Sequence, residues 1–330
     1  MDLSIIIVNW NSTEYLQKCL KSIYENTAEL EFEVIVVDNA SFDRCGEMLA
    51  QKFPQVKFVQ SNENLGFAGA NNLGVLQSQG RTLLFLNPDT EILGDAIRCM
   101  HRVVACGREA GAVGAKLLNS DRSVQTSCIQ RFPTILNQAI DSQALRTIFP
   151  RWRVWGTLPL LEKKAEPVGV EVISGACLMM NREVFDQIGR FTTAYFMYSE
   201  DVDLCFKSHQ AGLRNYYVDN ATVVHHGGGS TNSNGQSHFS AVVMRESISK
   251  FLALRRGAAY SLAYRATVIL AAAVRCAALL MVLTISFGGH SGSRNAFSRW
   301  LAVFRWAVGA GRPESRKFAN ASLPKCANAR

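Results

Sequence analysis

Short apolar runs alternate with helical patterns through the first 120 residues of this 330-residue chain, and that alternation limits the fold more than any other feature. Residues 3–8, 34–37, 56–60, 81–86 and 112–118 read as strands. The stretches between them carry helical periodicity. Leu16, Cys19, Leu20, Ile23 and Tyr24 fall on one face, Asn11 and Glu14 read as a capping box, and helices are expected over 43–53, 66–79 and 95–106. Strands joined by crossover helices predict an α/β fold with a largely parallel sheet.

The apolar runs end on amides and acids. Asn9 and Asn11 close the first, Asp38 the second, and Asn87-Pro88-Asp89 the fourth. Carboxyl ends of parallel strands form the ligand crevice of an open α/β sheet, so these side chains face one site. A carboxylate at Asp89 can bind a hard divalent cation whose shell phosphate oxygens complete. Asn9, Asn11 and Asp38 stand where a nucleotide base and ribose would be hydrogen-bonded. The ordinary alternative at each acid is a turn or a cap. Residues 62–74 hold Asn64, Gly66 and Asn71 among small residues, which lets backbone approach a ligand, with close helix-to-sheet packing as the other reading. No GxGxxG follows the first strand and no GxxxxGK[ST] loop occurs.

Regular alternation fades after residue 118 through a Pro-punctuated stretch to about Val168, the expected place of an acceptor-binding insertion. Residues 170–180 are strand-like around Ser174-Gly175. Helices over 182–188 and 202–211 and a last strand over 214–224 follow. Tyr198-Ser199-Glu200-Asp201-Val202-Asp203 opens a helix, where acids are favoured by the dipole. Capping accounts for one of the three acids. A carboxylate there facing a bound sugar donor can act as general base toward an incoming hydroxyl. His225-His226-Gly227-Gly228-Gly229-Ser230 closes the last strand, and a histidine at that place can complete a metal shell.

Charge divides the chain. From Lys250 onward 13 Lys and Arg face the single acid Glu314, giving this part +12 and leaving −4 of the total +8 for residues 1–249. Apolar stretches at 266–274 and 276–287 are separated by Arg275, and Phe297, Trp300, Leu301, Phe304 and Trp306 form a second patch. A membrane span needs roughly 20 mainly apolar residues, and an arginine at its centre costs about 2.5–3.5 kcal/mol on insertion scales. The expectation is an interfacial helix on an anionic membrane surface, with burial against a protein surface as the alternative. Arginines interspersed with long apolar runs do not suit nucleic acid. Nine cysteines without a CxxC pair suggest free thiols in a reducing compartment, and no secretory signal is read at the start.

In order along residues 2–231, Ser4-Ile5-Ile6-Ile7-Val8-Asn9-Trp10-Asn11, Val36-Val37-Asp38-Asn39-Ala40-Ser41, Asn64-Leu65-Gly66-Phe67-Ala68 with Asn71-Asn72, Asn87-Pro88-Asp89, Ser199-Glu200-Asp201-Val202-Asp203-Leu204 and His225-His226-Gly227-Gly228-Gly229-Ser230 resemble the motifs of family 2 glycosyltransferases. The similarity is greatest to the bacterial rhamnosyltransferase-like branch. The resemblance implies a GT-A type, Rossmann-like α/β fold: a mixed, mainly parallel sheet flanked by helices, with a C-terminal helical membrane-associating tail. It implies an inverting transferase that uses a dTDP- or UDP-sugar donor and Mg²⁺ or Mn²⁺, in cell-surface glycan synthesis.

Asp38, with Asn9, Asn11, Asn64, Gly66, Asn71 and Asn87, is then expected to contact the donor. Asp89 and His225 would hold the metal, with His226 as the alternative histidine, and Asp201 would be the base with Glu200 as its acidic neighbour. Asn87 departs from the family by replacing the first acid of its DxD motif. Residues 1–120 are expected to form a nucleotide-sugar-binding half, 121–250 an acceptor-binding half, and 251–330 the tail. The acceptor would be a glycan or lipid-linked sugar, the best match for the sugar L-rhamnose, and the location the cytoplasm, peripheral on the inner face of the plasma membrane. A sugar nucleotidyltransferase lacks its glycine- and arginine-rich loop here. A catalytically silent, membrane-docked scaffold is the non-enzymatic alternative.

Overall fold

The computed structural model describes residues 1–310 except 28, 42, 108, 141–147, 150, 151, 153, 157–166, 228–237 and 286–290. Strand β1 (Leu3–Asn9) leads to helix α1 (Thr13–Asn26), β2 (Phe32–Asp38), α2 (Cys45–Lys52), β3 (Lys57–Gln60), α3 (Gly66–Leu76) and β4 (Thr82–Leu86). A tight turn gives β5 (Thr90–Leu93), then α4 (Ala96–Cys106) and β6 (Ala110–Leu118) follow. Beyond them come β7 (Ile129–Gln130), α5 (Ile135–Ala139), β8 (Val168–Val170), β9 (Val172–Ile173), β10 (Cys177–Asn181), α6 (Arg182–Gln187), α7 (Glu200–Gln210) and β11 (Arg214–His225). Three helices close the described chain: α8 (His238–Arg256), α9 (Ala258–Ile285) and α10 (Ser291–Ala307).

The chain forms two compact units. One comprises Met1–Phe132, Gly156–Thr193 and Glu200–Ser233; the other comprises Pro133–Trp155, Ala194–Ser199 and Asn234–Arg330. These units cross the boundaries anticipated at 120 and 250, because long-range strand pairing, which local pattern does not reveal, carries 156–193 and 200–233 into the first unit.

In the first unit the main sheet runs β3-β2-β1-β4-β10-β6-β11-β5, with β8 also paired to β11. Pairs β1–β2, β2–β3, β1–β4 and β6–β11 are parallel. Strand β10 enters antiparallel between β4 and β6. Ile5, Ile7, Val34, Val36 and Leu84 are buried in the core that α1 covers with Leu16, Cys19, Leu20 and Ile23.

Three local readings are corrected. The Asn11–Glu14 capping box does not form: α1 starts at Thr13 after Ser12, Asn11 has φ 51°, and the Asp43 carboxylate accepts from the Thr13 N–H at 3.0 Å. The apolar stretch 170–180 is not one strand. It turns at Ser174–Ala176, so that β9 pairs with β7 while β10 joins the main sheet. Strand β5 was not anticipated, because four residues of Thr-Glu-Ile-Leu carry no distinctive period.

Helix α7 is fixed over the sheet by Asn215 of β11, which donates to the Cys205 carbonyl at 3.1 Å and accepts from the Ala112 N–H at 3.0 Å. Asp203 accepts from the Thr192 hydroxyl at 2.6 Å, tying the same helix to the segment after α6. All eight described cysteines are free, and Cys19, Cys45, Cys128, Cys177 and Cys205 are buried.

In the second unit α8 and α9 meet at Gly257, whose φ of 94° favours glycine. The Ser261 hydroxyl donates to the Ser249 carbonyl at 2.7 Å across this hairpin. Helix α9 is continuous through Arg275 and is long and apolar enough to cross a membrane, with almost none of its most apolar window buried. Its arginines turn toward α10. Arg265 donates to the Trp306 and Ala307 carbonyls, satisfying that helix end, and Arg275 stacks on Trp300.

A close approach in the main sheet yields a test. A Cβ on Gly114 would lie 2.0 Å from Ile173 Cγ2, so β9 packs over β6 only because position 114 has no side chain. Gly114→Ala is expected to cost about 1–3 kcal/mol, read as a lower urea midpoint with unchanged slope.

Candidate active site

The parallel register brings the polar strand ends to one level. Asn9 pairs with Asp38, and Asp38 with Gln60, at the carboxyl ends of three adjacent strands. The Asn9 amide donates to Asp38 Oδ1 at 2.9 Å and lies 3.2 Å from Asp43 Oδ2. Asp38 Oδ2 accepts from the Ser41 N–H at 3.1 Å and the Gln60 amide at 2.8 Å. A carboxylate has about four acceptor positions. Three of those on Asp38 hold protein donors, which orients it for one more.

Beside this cradle, Asn39 donates to Asn64 Oδ1 at 2.9 Å and accepts from the Leu65 N–H at 2.8 Å. Asn64 Oδ1 also accepts from the Gly66 N–H, and Gly66 has φ 68°, a conformation suited to glycine at the start of α3. Asn71 is buried and donates to the Phe67 carbonyl of its own helix at 2.9 Å. Asn11 is exposed, with its N–H bonded to the Ser41 hydroxyl.

A second group forms at the turn between β4 and β5. The Thr90 hydroxyl donates to the Asn87 carbonyl at 2.7 Å, closing the turn around Pro88 and Asp89. Strand β5 then pairs antiparallel with the end of β11, Thr90 opposite His225, and the His226 N–H donates to the Asp89 carbonyl at 2.9 Å. His225 Nε2 lies 3.3 Å from Asp89 Oδ1 and 3.3 Å from the Asn87 amide nitrogen. His226 faces elsewhere: its Nε2 is 2.8 Å from Glu91 Oε1 and its Nδ1 2.8 Å from the Ser120 hydroxyl. Gly228, Gly229 and Ser230 lie outside the described residues.

Gln125 determines which nitrogen of His225 faces Asp89. Its amide Nε2 donates to the His225 backbone carbonyl at 2.7 Å, which fixes the amide orientation and leaves Oε1 3.0 Å from His225 Nδ1. Nδ1 therefore donates to Gln125, and Nε2 is the ring nitrogen turned to the Asp89 carboxylate oxygen. His225 Nε2 and an Asp89 carboxylate oxygen, 3.3 Å apart, are a nitrogen and an oxygen that could share a cation. Among the described residues no three His, Cys, Asp or Glu gather into a metal site. A carboxylate oxygen and an imidazole nitrogen fit a divalent cation whose shell phosphate oxygens complete.

The third group is at α7. Two consecutive non-glycine residues, Tyr198 and Ser199, have φ of 67° and 68° just before the helix, a conformation that costs of order 1–3 kcal/mol each. Glu200 is buried in the first turn. Asp201 Oδ2 accepts from the Gly175 N–H at 2.8 Å and Oδ1 from the Val202 N–H at 2.8 Å. Burial pushes the Asp201 carboxyl above the usual carboxylate range, against the lowering effect of these backbone donors. A Cβ on Gly175 would lie 3.2 Å from Asp201 Cβ, so the glycine allows the close approach. The next residue, Ala176, accepts from the Asn87 N–H at 2.9 Å, linking the Asp201 loop to the turn that carries Asp89.

The expected residues Asn9, Asp38, Asn87, Asp89, Asp201 and His225 thus stand at one end of the sheet. Sequence reasoning missed Gln125, Gln60, Ser41 and Asp43. Gln60 could have been found as the last residue of a third parallel strand. Gln125 carries no such signal: it is aimed only because residues 124–125 fold back on β6, with the Gln125 N–H on the Leu117 carbonyl.

The family model Glycosyl transferase family 2 matches residues 4–189. An N-acetylglucosaminyl-diphospho-decaprenol L-rhamnosyltransferase of Mycobacterium tuberculosis (strain CDC 1551 / Oshkosh) is 30% identical over 252 residues, covering 72% of this chain and 80% of that protein. Rhamnosyltransferase WbbL of Escherichia coli (strain K12) is 25% identical over 232 residues, covering 67% and 82%. Among solved structures, the mannosyltransferase PcManGT of Pyrobaculum calidifontis in complex with GDP-Man and Mn²⁺ has a TM-score of 0.55 at 16% identity, covering 93% of this chain and 86% of that one. GalNAc-T7 with UDP, GalNAc and Mn²⁺ gives 0.54 at 16% identity over 68% of this chain, which spans 44% of that longer one. The fold these structures share with the chain is the GT-A fold.

Gln125→Leu removes both restraints on His225 without touching Asp89. Isothermal titration with Mn²⁺ should show affinity lowered about 10–100-fold, the scale of outer-shell losses at metal sites. An unchanged affinity would contradict the assigned role of Gln125.

Proposed function

The chain belongs to glycosyl transferase family 2 and is a glycosyltransferase, and we propose that it moves L-rhamnose from dTDP-rhamnose to a lipid-linked sugar with inversion at the anomeric carbon. The two relatives named as rhamnosyltransferases support the sugar, and the diphospho-decaprenol in the name of one supports a lipid-linked acceptor. The observation that carries the mechanism is the contact of Asp201 with Gly175, one residue from the Ala176–Asn87 bond that leads to Asp89.

Asp38, held by Asn9, Ser41 and Gln60, offers its remaining acceptor position to the nucleoside. Asn64 and Gly66 shape the loop beside it. Asn11 and Asn71 keep supporting places at the cradle and in α3. Asp89 and His225 would hold Mg²⁺ or Mn²⁺, with the Asn87 side chain beside them. When bound, such a cation offsets negative charge on a diphosphate leaving group. Asp201 takes the proton of the acceptor hydroxyl; its backbone bonds hold the carboxylate in place, and its raised proton affinity makes it a stronger base than an exposed aspartate. Glu200 beside it adds negative charge at the helix start. In a single displacement the acceptor oxygen bonds to the anomeric carbon as the bond to the diphosphate oxygen breaks.

The helical unit associates with the inner face of the plasma membrane, in a reaction of cell-surface glycan synthesis. What supports this is α9: Leu262, Leu270, Val274, Leu280 and Met281 are exposed while Arg265 and Arg275 turn to Trp306 and Trp300. The arginine that argued against a continuous apolar surface therefore does not lie on it.

Nucleoside diphosphate release from a panel of nucleotide sugars, with a polyprenyl-diphosphate sugar as acceptor, identifies the donor. Turnover of dTDP-rhamnose is expected, and exclusive use of another sugar would overturn that choice. Asp201→Asn should lower transfer about 10²–10⁴-fold, the range for a lost general base, with donor binding retained. Because burial raises Asp201, it is protonated as pH falls through a value above ~3.9, so the wild-type rate should lose activity on that acid side. The limb should be absent from the residual rate of Asp201→Asn.

A further inference from the structure

The first stretch of the helical unit, Pro133–Trp155, is tied to the start of α9, because the Ile135 N–H of α5 donates to the Tyr260 hydroxyl at 3.3 Å. Farther along, one carbonyl closes a turn. Phe149 accepts from the Trp152 N–H at 3.3 Å and from the Trp155 indole N–H at 2.7 Å. The turn piles three rings. Phe149 and Trp152 stack with centroids 4.5 Å apart and planes at 12°, and Trp155 follows at 6.0 Å and 27°. Trp155 is 2% exposed, whereas Trp152 is 51%, Phe149 41% and the preceding Ile148 65% exposed.

Trp155 is thus the ring that anchors the turn, while the two outer rings and Ile148 keep much of their apolar surface in water. Large apolar side chains held together at a surface mark an interaction site. The sequence around them selects the partner: residues 142–161 contain Arg146, Arg151 and Arg153 and no Asp or Glu. Tryptophan is favoured at the level of lipid headgroups, and each Lys or Arg near an anionic leaflet adds attraction. A sugar ring would cover one aromatic face but leave the isoleucine and the positive charge unanswered.

We propose that Ile148, Phe149 and Trp152 insert into the headgroup layer of an anionic membrane, as a second attachment in addition to α9. The proposal rests on the membrane association inferred above and adds to it a contact made by the segment between α5 and β8. A second attachment restricts how the unit can turn about α9, which one helix alone does not.

The test is co-sedimentation with phosphatidylcholine vesicles with and without phosphatidylglycerol, together with quenching of tryptophan emission by brominated lipid. Phe149→Ser with Trp152→Ser should bind phosphatidylglycerol vesicles roughly tenfold more weakly than wild type, about 1.4 kcal/mol. Leu76→Ser, which removes an exposed leucine from the first unit, should bind as wild type does. Trp152→Phe keeps an apolar ring and should also bind normally, but with a smaller lipid-quenched share of its emission because the inserted indole is gone. That comparison carries the test if the serine pair does not fold. Wild type should bind vesicles lacking phosphatidylglycerol more weakly, and equal binding to both overturns the anionic partner. Undiminished binding by the serine pair, with no loss of quenching in Trp152→Phe, overturns this contact and leaves the membrane reading standing. Wild-type protein that binds no vesicle overturns both. Undiminished vesicle binding by the serine pair with a raised acceptor KM would assign the rings to the acceptor sugar and overturn the lipid occupant.

Discussion

Thr90 stands opposite His225 in an antiparallel pairing at the far edge of the main sheet, and the chemistry of the first unit follows from that register. Strand β4 ends in the middle of the sheet, whereas β5 lies at its edge, so the turn Asn87-Pro88-Asp89 carries the chain from β4 to the end of β11. The turn sets Asp89 against the last residue of β11. A slip of one residue would turn His225 away and His226 in, because side chains alternate along a strand. Cys19 and the Thr90 hydroxyl on the Asn87 carbonyl, and the His226 N–H on the Asp89 carbonyl, hold the turn in place.

The acids of the site differ in how they are held, and this separates their parts. Asp203 is consumed by Thr192 and lies 3.8 Å from Lys207, which anchors α7. Asp38 accepts three neutral donors within a polar cradle. Asp89 faces the imidazole Nε2 of His225 at 3.3 Å. Asp201 is part-buried, and desolvation raises its proton affinity against the opposing effect of its two backbone donors. One helix start thus carries a structural acid and a basic one two residues apart.

Much of this was legible in sequence because strand ends in an α/β sheet are marked by the change from apolar runs to Asn and Asp, and the helices between them are amphipathic. Asn9, Asp38 and Asp89 follow from that pattern. Asp201 and His225 stood out by motif order instead, since no periodicity joins them to the earlier strands. What stayed hidden depends on distant pairing: β5 is too short to show a period, Asp43 caps a helix 30 residues upstream, and Gln125 reaches His225 across 100 residues. In the helical unit, sequence showed an arginine interrupting an apolar stretch, but only the packing of α9 against α10 shows which side that arginine occupies.

The central claim is that one displacement at the anomeric carbon, assisted by Asp201, joins donor and acceptor. The configuration of the first-formed linkage, read by NMR of the product before any later exchange, tests it most directly. The account predicts a product of anomeric configuration opposite to the donor's; a retained configuration would require a second displacement and would contradict it.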